Sequence, residues 1–156
     1  KEQNPSSHRP ATKNWLRPKP LGAEHGINYK KADSWSKAVQ EVTGGKGVDI
    51  IIEVGGPASL KHSFEAAGFN GRIHLIGTLS GEADEPLDTM PLLGKNLNLR
   101  GVAVGSKKML QDVAYTLSAA GSTPVIDKEF PFANAADAFR HMESRSHFGN
   151  IVITHN

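Results

Sequence analysis

The side chains that could carry acid–base or metal chemistry are few and widely spaced in this sequence. Asp49 and Glu53 stand four residues apart in an apolar stretch. On a strand they would share one face but lie about 13 Å apart, too far to share a proton. The seven histidines include no pair at the H-x-x-x-H spacing of metal ligands, and the chain has no cysteine. We therefore expect no catalytic residue and no metal site within these 156 residues.

Glycines that follow apolar stretches are a stronger indication of function. Residues 48–54 are rich in β-branched aliphatic side chains and stop at Gly55-Gly56-Pro57. This pattern predicts a strand buried on both faces, of the kind found in parallel sheets. In open α/β sheets ligands bind beyond the carboxyl ends of the strands, where two glycines would let a ligand approach the backbone closely. The alternative is that the two glycines only turn the chain into the next helix.

Strands and helices alternate along the rest of the chain. The predicted strands are residues 27–29, 48–54, 72–77, 97–104, 125–127 and 151–153. The predicted helices are residues 34–43, 57–67, 109–121 and 134–142. Trp35, Phe139 and Met142 are expected to face the core, and His141 is expected on a solvated helix face. The pattern indicates an α/β protein with a doubly wound, Rossmann-type parallel sheet.

The composition fits one soluble domain. Hydrophobic residues make up 38% of the chain and charged residues 22%. The 18 basic and 16 acidic residues nearly balance, so no dominant field would attract nucleic acid or an anionic membrane. No apolar run approaches the roughly 20 residues of a membrane span, and the amino terminus lacks the apolar core of a secretory signal. We expect a cytoplasmic protein without nucleic-acid or membrane partners.

Four motifs, each a predicted strand with a glycine, occur in an order and spacing that match a known protein family. They are Val48-Asp49-(x)3-Glu53-Val54-Gly55-Gly56, Gly71-Arg72-(x)3-Ile76-Gly77, Leu99-Arg100-Gly101-Val102-(x)2-Gly105-Ser106 and His147-Phe148-Gly149-Asn150-Ile151-Val152-Ile153. Over residues 21–153 the chain resembles the carboxyl-terminal, cofactor-binding domain of the medium-chain dehydrogenase/reductase superfamily, in its zinc-type alcohol dehydrogenase and quinone oxidoreductase branch. The resemblance implies NAD or NADP as cofactor and hydride transfer between the nicotinamide and an alcohol, carbonyl or quinone.

The resemblance also implies which residues would line the cofactor along the carboxyl edge of the sheet. They are Val54 and Gly55, with Gly56 beside them, on the adenosine side; Ile76, Gly77 and Thr78 in the middle; Val104, Gly105 and Ser106 at the nicotinamide amide; and Phe148, Gly149 and Asn150 at the nicotinamide end. The family usually has lysine at the position of Asn150. Because an amide brings no charge, a phosphate contact assigned to this position is weakened.

Two features of the family do not occur in this sequence. One is the Gly-x-Gly-x-x-Gly turn that holds the pyrophosphate, and the other is the amino-terminal domain with the substrate pocket, the proton relay and any zinc ligands. We interpret residues 21–156 as a partial NAD(P)-binding Rossmann domain, incomplete at its amino terminus and inactive in isolation. Zinc would bind only in the missing domain. The alternatives are a non-catalytic, Rossmann-like nucleotide-binding remnant and an unrelated phosphate- or flavin-binding domain.

Residues 1–20 differ in character from the rest. They are polar, carry four prolines and show no helical or strand period, so we expect a disordered or frame-shifted tail. Synonymous codons read in a shifted frame can restore the strand-then-helix text of the family. The restored strand ends in serines rather than in the acidic residue that binds the ribose 2′-hydroxyl of NAD, which favours NADP.

Residues 97–104 are predicted to be the last strand in the second half of the sheet, with one unpaired edge. In the resembling family this strand commonly pairs with its twofold mate. We therefore expect a homodimer formed through the 97–104 edge strand.

Overall fold

The computed structural model describes residues 21–29, 34–78, 80–81, 83 and 86–155. The predicted tail, residues 1–20, lies outside the described residues. By their contacts the described residues fall into two units, one ending at Val104 and one beginning at Gly105, and each is considered by itself.

The first unit contains a three-stranded parallel sheet in the order β1-β2-β3. Its elements are α1 (Trp35–Val42), β1 (Val48–Glu53), α2 (Pro57–Ala66), β2 (Ala67–Leu75), α3 (Met90–Gly94) and β3 (Asn98–Gly101). Ile51 lies opposite Ile73 in the register, and Ile73 lies opposite Leu99. The prediction of an α/β protein with parallel strands is confirmed.

The core of this unit lies between α2 and one face of the sheet. Leu60 and Phe64, four residues apart on α2, pack with Ala67 and Ile73, and all four are buried. On the opposite face of β1, Ile50 is 50% exposed and Ile52 is 57% exposed. The prediction that this strand is buried on both faces is therefore wrong for the described residues, because α2 covers the face that carries Ile51 and α1 packs against α2.

Lys95 stabilises the end of α2. Its Nζ donates hydrogen bonds to the carbonyl oxygens of Phe64 at 2.9 Å, Glu65 at 2.9 Å and Ala67 at 2.8 Å. The last carbonyls of a helix have no partner within the helix, and a cation there also interacts favourably with the helix dipole. The side chain of Lys95, which follows α3, thus provides hydrogen-bond donors for three carbonyl oxygens where α2 ends and β2 begins.

Several boundaries in the first unit differ from the prediction. The strand β2 begins at Ala67 rather than Arg72, β3 ends at Gly101, and α3 was not predicted. Among the described residues, 27–29 lie outside the strands, contrary to the prediction. Trp35, expected in the core, is half-buried.

The second unit contains a separate two-stranded parallel sheet. Its elements are α4 (Lys107–Ala119), β4 (Ile126–Pro131), a 3-10 turn (Phe132–Asn134), α5 (Ala135–Glu143) and β5 (Asn150–Thr154). The sequence predicted one sheet, but β4 and β5 pair with each other. The core here is small, with Phe130 and Ala138 buried, while Phe139 and Met142 are exposed, contrary to expectation.

Within the part of the chain that the structure describes, no helix has the length and apolar character needed to cross a bilayer.

Candidate cofactor-binding edge

The carboxyl end of β1 is organised by the side chain of Glu53, which is only 5% exposed. Its Oε1 accepts hydrogen bonds from the backbone N–H groups of Gly55 at 2.7 Å and Gly56 at 3.1 Å, and from the hydroxyl of Ser59 at 2.7 Å. Its Oε2 accepts a hydrogen bond from the hydroxyl of Ser63. Because Ser59 and Ser63 stand one turn apart on α2, the last side chain of the strand fastens both the turn and the helix that follow it.

The surroundings of Glu53 favour its ionised form. Burial by itself would raise the pKa of the carboxyl group, but the hydrogen bonds from Ser63, Ser59, Gly56 and Gly55 lower it. The net result is a pKa below the ordinary glutamate value. The charge is thus stabilised by the dipoles of two hydroxyl groups and two amides.

Two turns meet at this end of the sheet, one after β1 and one after β2. The backbone oxygen of Glu53 accepts hydrogen bonds from the N–H groups of Ile76 at 2.9 Å and Gly77 at 3.0 Å. The backbone oxygen of Gly55 accepts a hydrogen bond from the N–H of Ser80 at 2.8 Å. Backbone bonds therefore join the two turns directly.

The contact between the turns depends on glycine. A Cβ at Gly77 would lie 1.7 Å from the carbonyl oxygen of Val54, and a Cβ at Gly56 would lie 2.8 Å from the carbonyl oxygen of Gly77. Gly56 also has a φ of 119°, a conformation that favours glycine. Packing of one turn on the other accounts for these glycines, in line with the turn-forming alternative raised for Gly55-Gly56.

Half of the predicted cofactor-binding residues lie together at this edge, with Val54, Ile76 and Thr78 exposed. They are Val54, Gly55, Gly56, Ile76, Gly77 and Thr78. The exposed members leave a surface on which a ligand can rest.

A cavity of about 660 Å³ opens beside the same edge. Most of its lining is apolar, and two of the predicted residues, Val54 and Gly55, contribute to it. The other lining residues are Ile27, Tyr29, Trp35, Val39, Ile51, Ile52, Glu53, Ser59, Ser63 and Ser80. This volume lies within the range of ordinary small-molecule sites, and the aromatic and aliphatic walls suit a flat, apolar group of a ligand.

The third predicted group is divided between the two units. Val104 follows β3 in the first unit, and Gly105 and Ser106 begin the second. The Oγ of Ser106 accepts a hydrogen bond from the N–H of Met109 at 3.2 Å, which makes Ser106 the cap of α4.

The last predicted group, Phe148, Gly149 and Asn150, leads into β5. The N–H of Phe148 donates to Oδ1 of Asp127 at 2.9 Å. Asn150 donates to the carbonyl oxygen of Val125 from its backbone at 2.8 Å and from Nδ2 at 3.1 Å. The amide that stands where the family has lysine is thus engaged within the protein.

Sequence reasoning missed the contact between Asp127 and His141. The Oδ2 of Asp127 lies 2.8 Å from Nε2 of His141, both side chains are mostly buried, and the His141 ring also lies beside Phe130. The expectation of a solvated His141 is therefore wrong. Nothing in the sequence links two residues on different elements, whereas Glu53, the last strand residue before two glycines, carried a local signal that was available.

The described residues contain no group of three or more histidine, cysteine, aspartate or glutamate side chains that could hold a metal ion. They do not fit a zinc site, so no metal is assigned to them.

Comparison with known proteins gives these features a context. The family model described as zinc-binding dehydrogenase matches residues 17–119. A zinc-type alcohol dehydrogenase-like protein of Schizosaccharomyces pombe is 37% identical over 138 residues, which cover 86% of this chain and 40% of that protein. A 2-haloacrylate reductase of a Burkholderia species is 32% identical over 145 residues, which cover 85% of this chain and 42% of that protein.

Solved structures give the same picture. A crystal structure of an NAD-dependent alcohol dehydrogenase matches with a TM-score of 0.77 at 28% identity, covering 91% of this chain and 41% of that one. A crystal structure of 2-haloacrylate reductase matches with a TM-score of 0.69 at 28% identity, covering 85% of this chain and 44% of that one. The chain spans about two fifths of the length of the curated relatives named above.

Proposed function

Since this chain belongs to the zinc-binding dehydrogenase family, within the medium-chain dehydrogenase/reductase superfamily, we propose that it forms the cofactor-binding part of an NAD(P)-dependent oxidoreductase. The observation that carries the proposal is the contact between residues 54–56 and 76–78 at the carboxyl ends of two adjoining parallel strands. Ligands of open α/β sheets bind at this kind of edge. A bound nicotinamide would donate a hydride to a carbonyl or quinone, or accept one from an alcohol, and these are the substrate classes that we propose for the whole enzyme.

The edge would recognise the cofactor by shape and apolar contact. The N–H groups of Gly55 and Gly56 already donate hydrogen bonds to Glu53, so these amides are not free to bind a phosphate. The surface that remains consists of the exposed side chain of Val54 and the largely apolar cavity beside it. We assign to this surface the adenosine side of the cofactor.

Of the two nicotinamide cofactors we favour NADP, on the ground of the serine-bearing strand end restored from residues 1–20 in the shifted frame. Among the described residues that line the cavity, none is a cation that could bind a 2′-phosphate, so these residues do not distinguish NAD from NADP.

The 156-residue chain by itself should bind NADPH weakly and turn over no alcohol or quinone. The sequence has no Gly-x-Gly-x-x-Gly turn, whose oriented N–H groups and helix dipole bind the pyrophosphate. Nicotinamide fluorescence titration, together with a turnover assay on simple alcohols and quinones, tests both parts. Weak saturable binding without turnover is expected. Saturation at low micromolar NADPH would contradict the weak-binding part, and no binding at millimolar NADPH would contradict the proposed function.

We also propose that the protein is a homodimer formed through the 97–104 edge. Among the described strands β3 pairs with β2 alone, and its other side could serve as a template for a second copy. The net charge of +2 gives no reason to add a nucleic-acid or membrane partner, and the cytoplasm remains the compartment we propose.

A further inference from the structure

We propose that Glu53 is the positioning residue of the cofactor edge: its side-chain oxygens set the path of residues 54–56, and this turn in turn holds residues 76–78. The inference rests on the proposed function for its consequence in cofactor binding. Its structural part concerns the chain alone and can be tested without a ligand.

Three hydrogen-bond donors converge on one atom. The Oε1 of Glu53 accepts from Gly55, Gly56 and Ser59 at 2.7, 3.1 and 2.7 Å. Because Gly56 is buried, its N–H could not form a hydrogen bond with water if this acceptor were removed. An unsatisfied buried amide is costly, and the turn would have to change its path to satisfy it.

The carboxylate of Glu53 also fills the space beside Gly55. A Cβ at Gly55 would lie 2.4 Å from Oγ of Ser59 and 3.0 Å from Oε1 of Glu53. The hydroxyl and the carboxylate therefore occupy the volume in which any other residue at position 55 would carry its side chain. These contacts with Glu53 and Ser59 account for glycine at position 55.

The first turn is linked to the second. The backbone oxygen of Glu53 accepts hydrogen bonds from the N–H groups of Ile76 and Gly77, and a Cβ at Gly56 would lie 2.8 Å from atoms of Gly77 and Thr78. A shift of residues 54–56 would therefore move the neighbouring residues 76–78. Since Val54, Ile76 and Thr78 are exposed, the surface offered to a cofactor would change with them.

Two substitutions distinguish the effect of the hydrogen-bond acceptor at position 53 from the effect of the side-chain volume. In Glu53→Gln the amide oxygen can still accept the bonds from Gly55, Gly56 and Ser59, whereas Glu53→Met fills a similar space and accepts none. The matched controls are Glu65→Gln and Glu65→Met, since Glu65 also bonds a serine, Ser36, but faces α1 instead of the turns. Amide hydrogen exchange and amide proton shifts of Gly55 and Gly56 are read by NMR in the 156-residue chain.

Glu53→Gln should keep the two glycine amides protected, and Glu53→Met should lose that protection, while both Glu65 variants leave it unchanged. Equal protection of the glycine amides in the two Glu53 variants would overturn the proposal. If Glu53→Met does not fold, the amide proton shifts of Glu53→Gln test the proposal without it. A neutral oxygen is a weaker acceptor than a carboxylate, so the Gly55 and Gly56 amide protons should move upfield. Unchanged positions of these resonances would overturn it.

The same samples test the consequence for binding. NADPH should bind Glu53→Met at least about tenfold more weakly than Glu53→Gln, which corresponds to ~1.4 kcal/mol. Equal affinities in the two variants, with binding present, would overturn the role in positioning the cofactor edge. If the wild-type chain shows no NADPH-dependent change while the glycine amides behave as expected, the proposed function fails and the role of Glu53 in setting the turns stands.

Discussion

The backbone N–H of Gly55 donates a 2.7 Å hydrogen bond to the side chain of Glu53, two positions earlier in the chain. The last residue of β1 thus closes the turn that ends its own strand. Because the same carboxylate also holds Ser59 and Ser63 of α2, the path from strand to helix is fixed by one buried anion.

Acid should destabilise the protein in part through Glu53. Its pKa is below the ordinary value in the folded state, so the unfolded state binds the proton more readily. The stability that Glu53 contributes is therefore fully present above the ordinary glutamate pKa of about 4.3 and is lost as the pH falls from there through the folded-state pKa. Urea unfolding at pH 7 and pH 3.5 should show a larger loss in the wild type than in Glu53→Gln. The pKa of Glu65 is also lowered, but Glu65 is present in both proteins, so its contribution cancels in the comparison. Equal losses of unfolding free energy in the two proteins would show that Glu53 does not contribute.

Replacement of Lys95 by methionine should lower the free energy of unfolding by about 1–3 kcal/mol, because the terminal carbonyls of α2 lose a charged donor. Methionine keeps much of the aliphatic stem, so packing changes little. Lys108→Met is the control: within the described part of the chain Lys108 forms an exposed ion pair with Asp112, worth about 0–1 kcal/mol. Chemical denaturation measures both, and an equal effect of the two substitutions would contradict the capping role of Lys95.

Gly77→Ala should lower thermal stability, since the new Cβ would lie 1.7 Å from the carbonyl oxygen of Val54 and the two turns would have to separate. A cost of about 1–3 kcal/mol is typical of such overpacking. Gly94, which ends α3, has open space around its Cβ position. Gly94→Ala should therefore be neutral or slightly stabilising in the same melting experiment. A Gly77→Ala protein that melts with the wild type would show that the turns are not in close contact.

The proposed dimer can be tested at the outer edge of β3. The N–H of Val102 donates to the carbonyl oxygen of Leu75 at 2.9 Å, so it faces β2. Because N–H groups alternate along a strand, the N–H of Gly101 should face outward. Gly101→Pro should convert a dimer into a folded monomer, measured by light scattering and circular dichroism, whereas Val102→Pro should destabilise the unit itself. A wild-type protein that is monomeric at all concentrations would remove the edge-pairing proposal.

Local patterns in the sequence predicted much of the first unit. Pro57 at the helix start and the i, i+4 pair of Leu60 and Phe64 predicted α2, and the aliphatic run before Gly55 predicted β1. The exposure of Ile50 and Ile52 could not be predicted, because burial depends on which elements cover a face and not on the strand itself.

The candidate site was predictable to a similar extent. The resemblance predicted that six of its residues lie along one edge of the sheet. In the structure these six residues lie in two neighbouring turns that backbone hydrogen bonds join. The central role of Glu53 was not predicted: its place at the strand end was visible in the sequence, but its bonds to Ser59 and Ser63 of the next helix were not. The pairing of β4 with β5 was also missed, because apolar periodicity does not say which strand pairs with which.

The central claim, that residues 54–56 and 76–78 form the edge on which the cofactor rests, is tested most directly by NADPH titration of the ¹⁵N-labelled chain. The account predicts saturable amide shifts concentrated at Val54, Gly55, Ile76, Gly77 and Thr78, with a Kd of roughly 1 mM, near the weak end of specific binding. Absence of saturable shifts at these amides, or shifts confined to residues elsewhere, would contradict it.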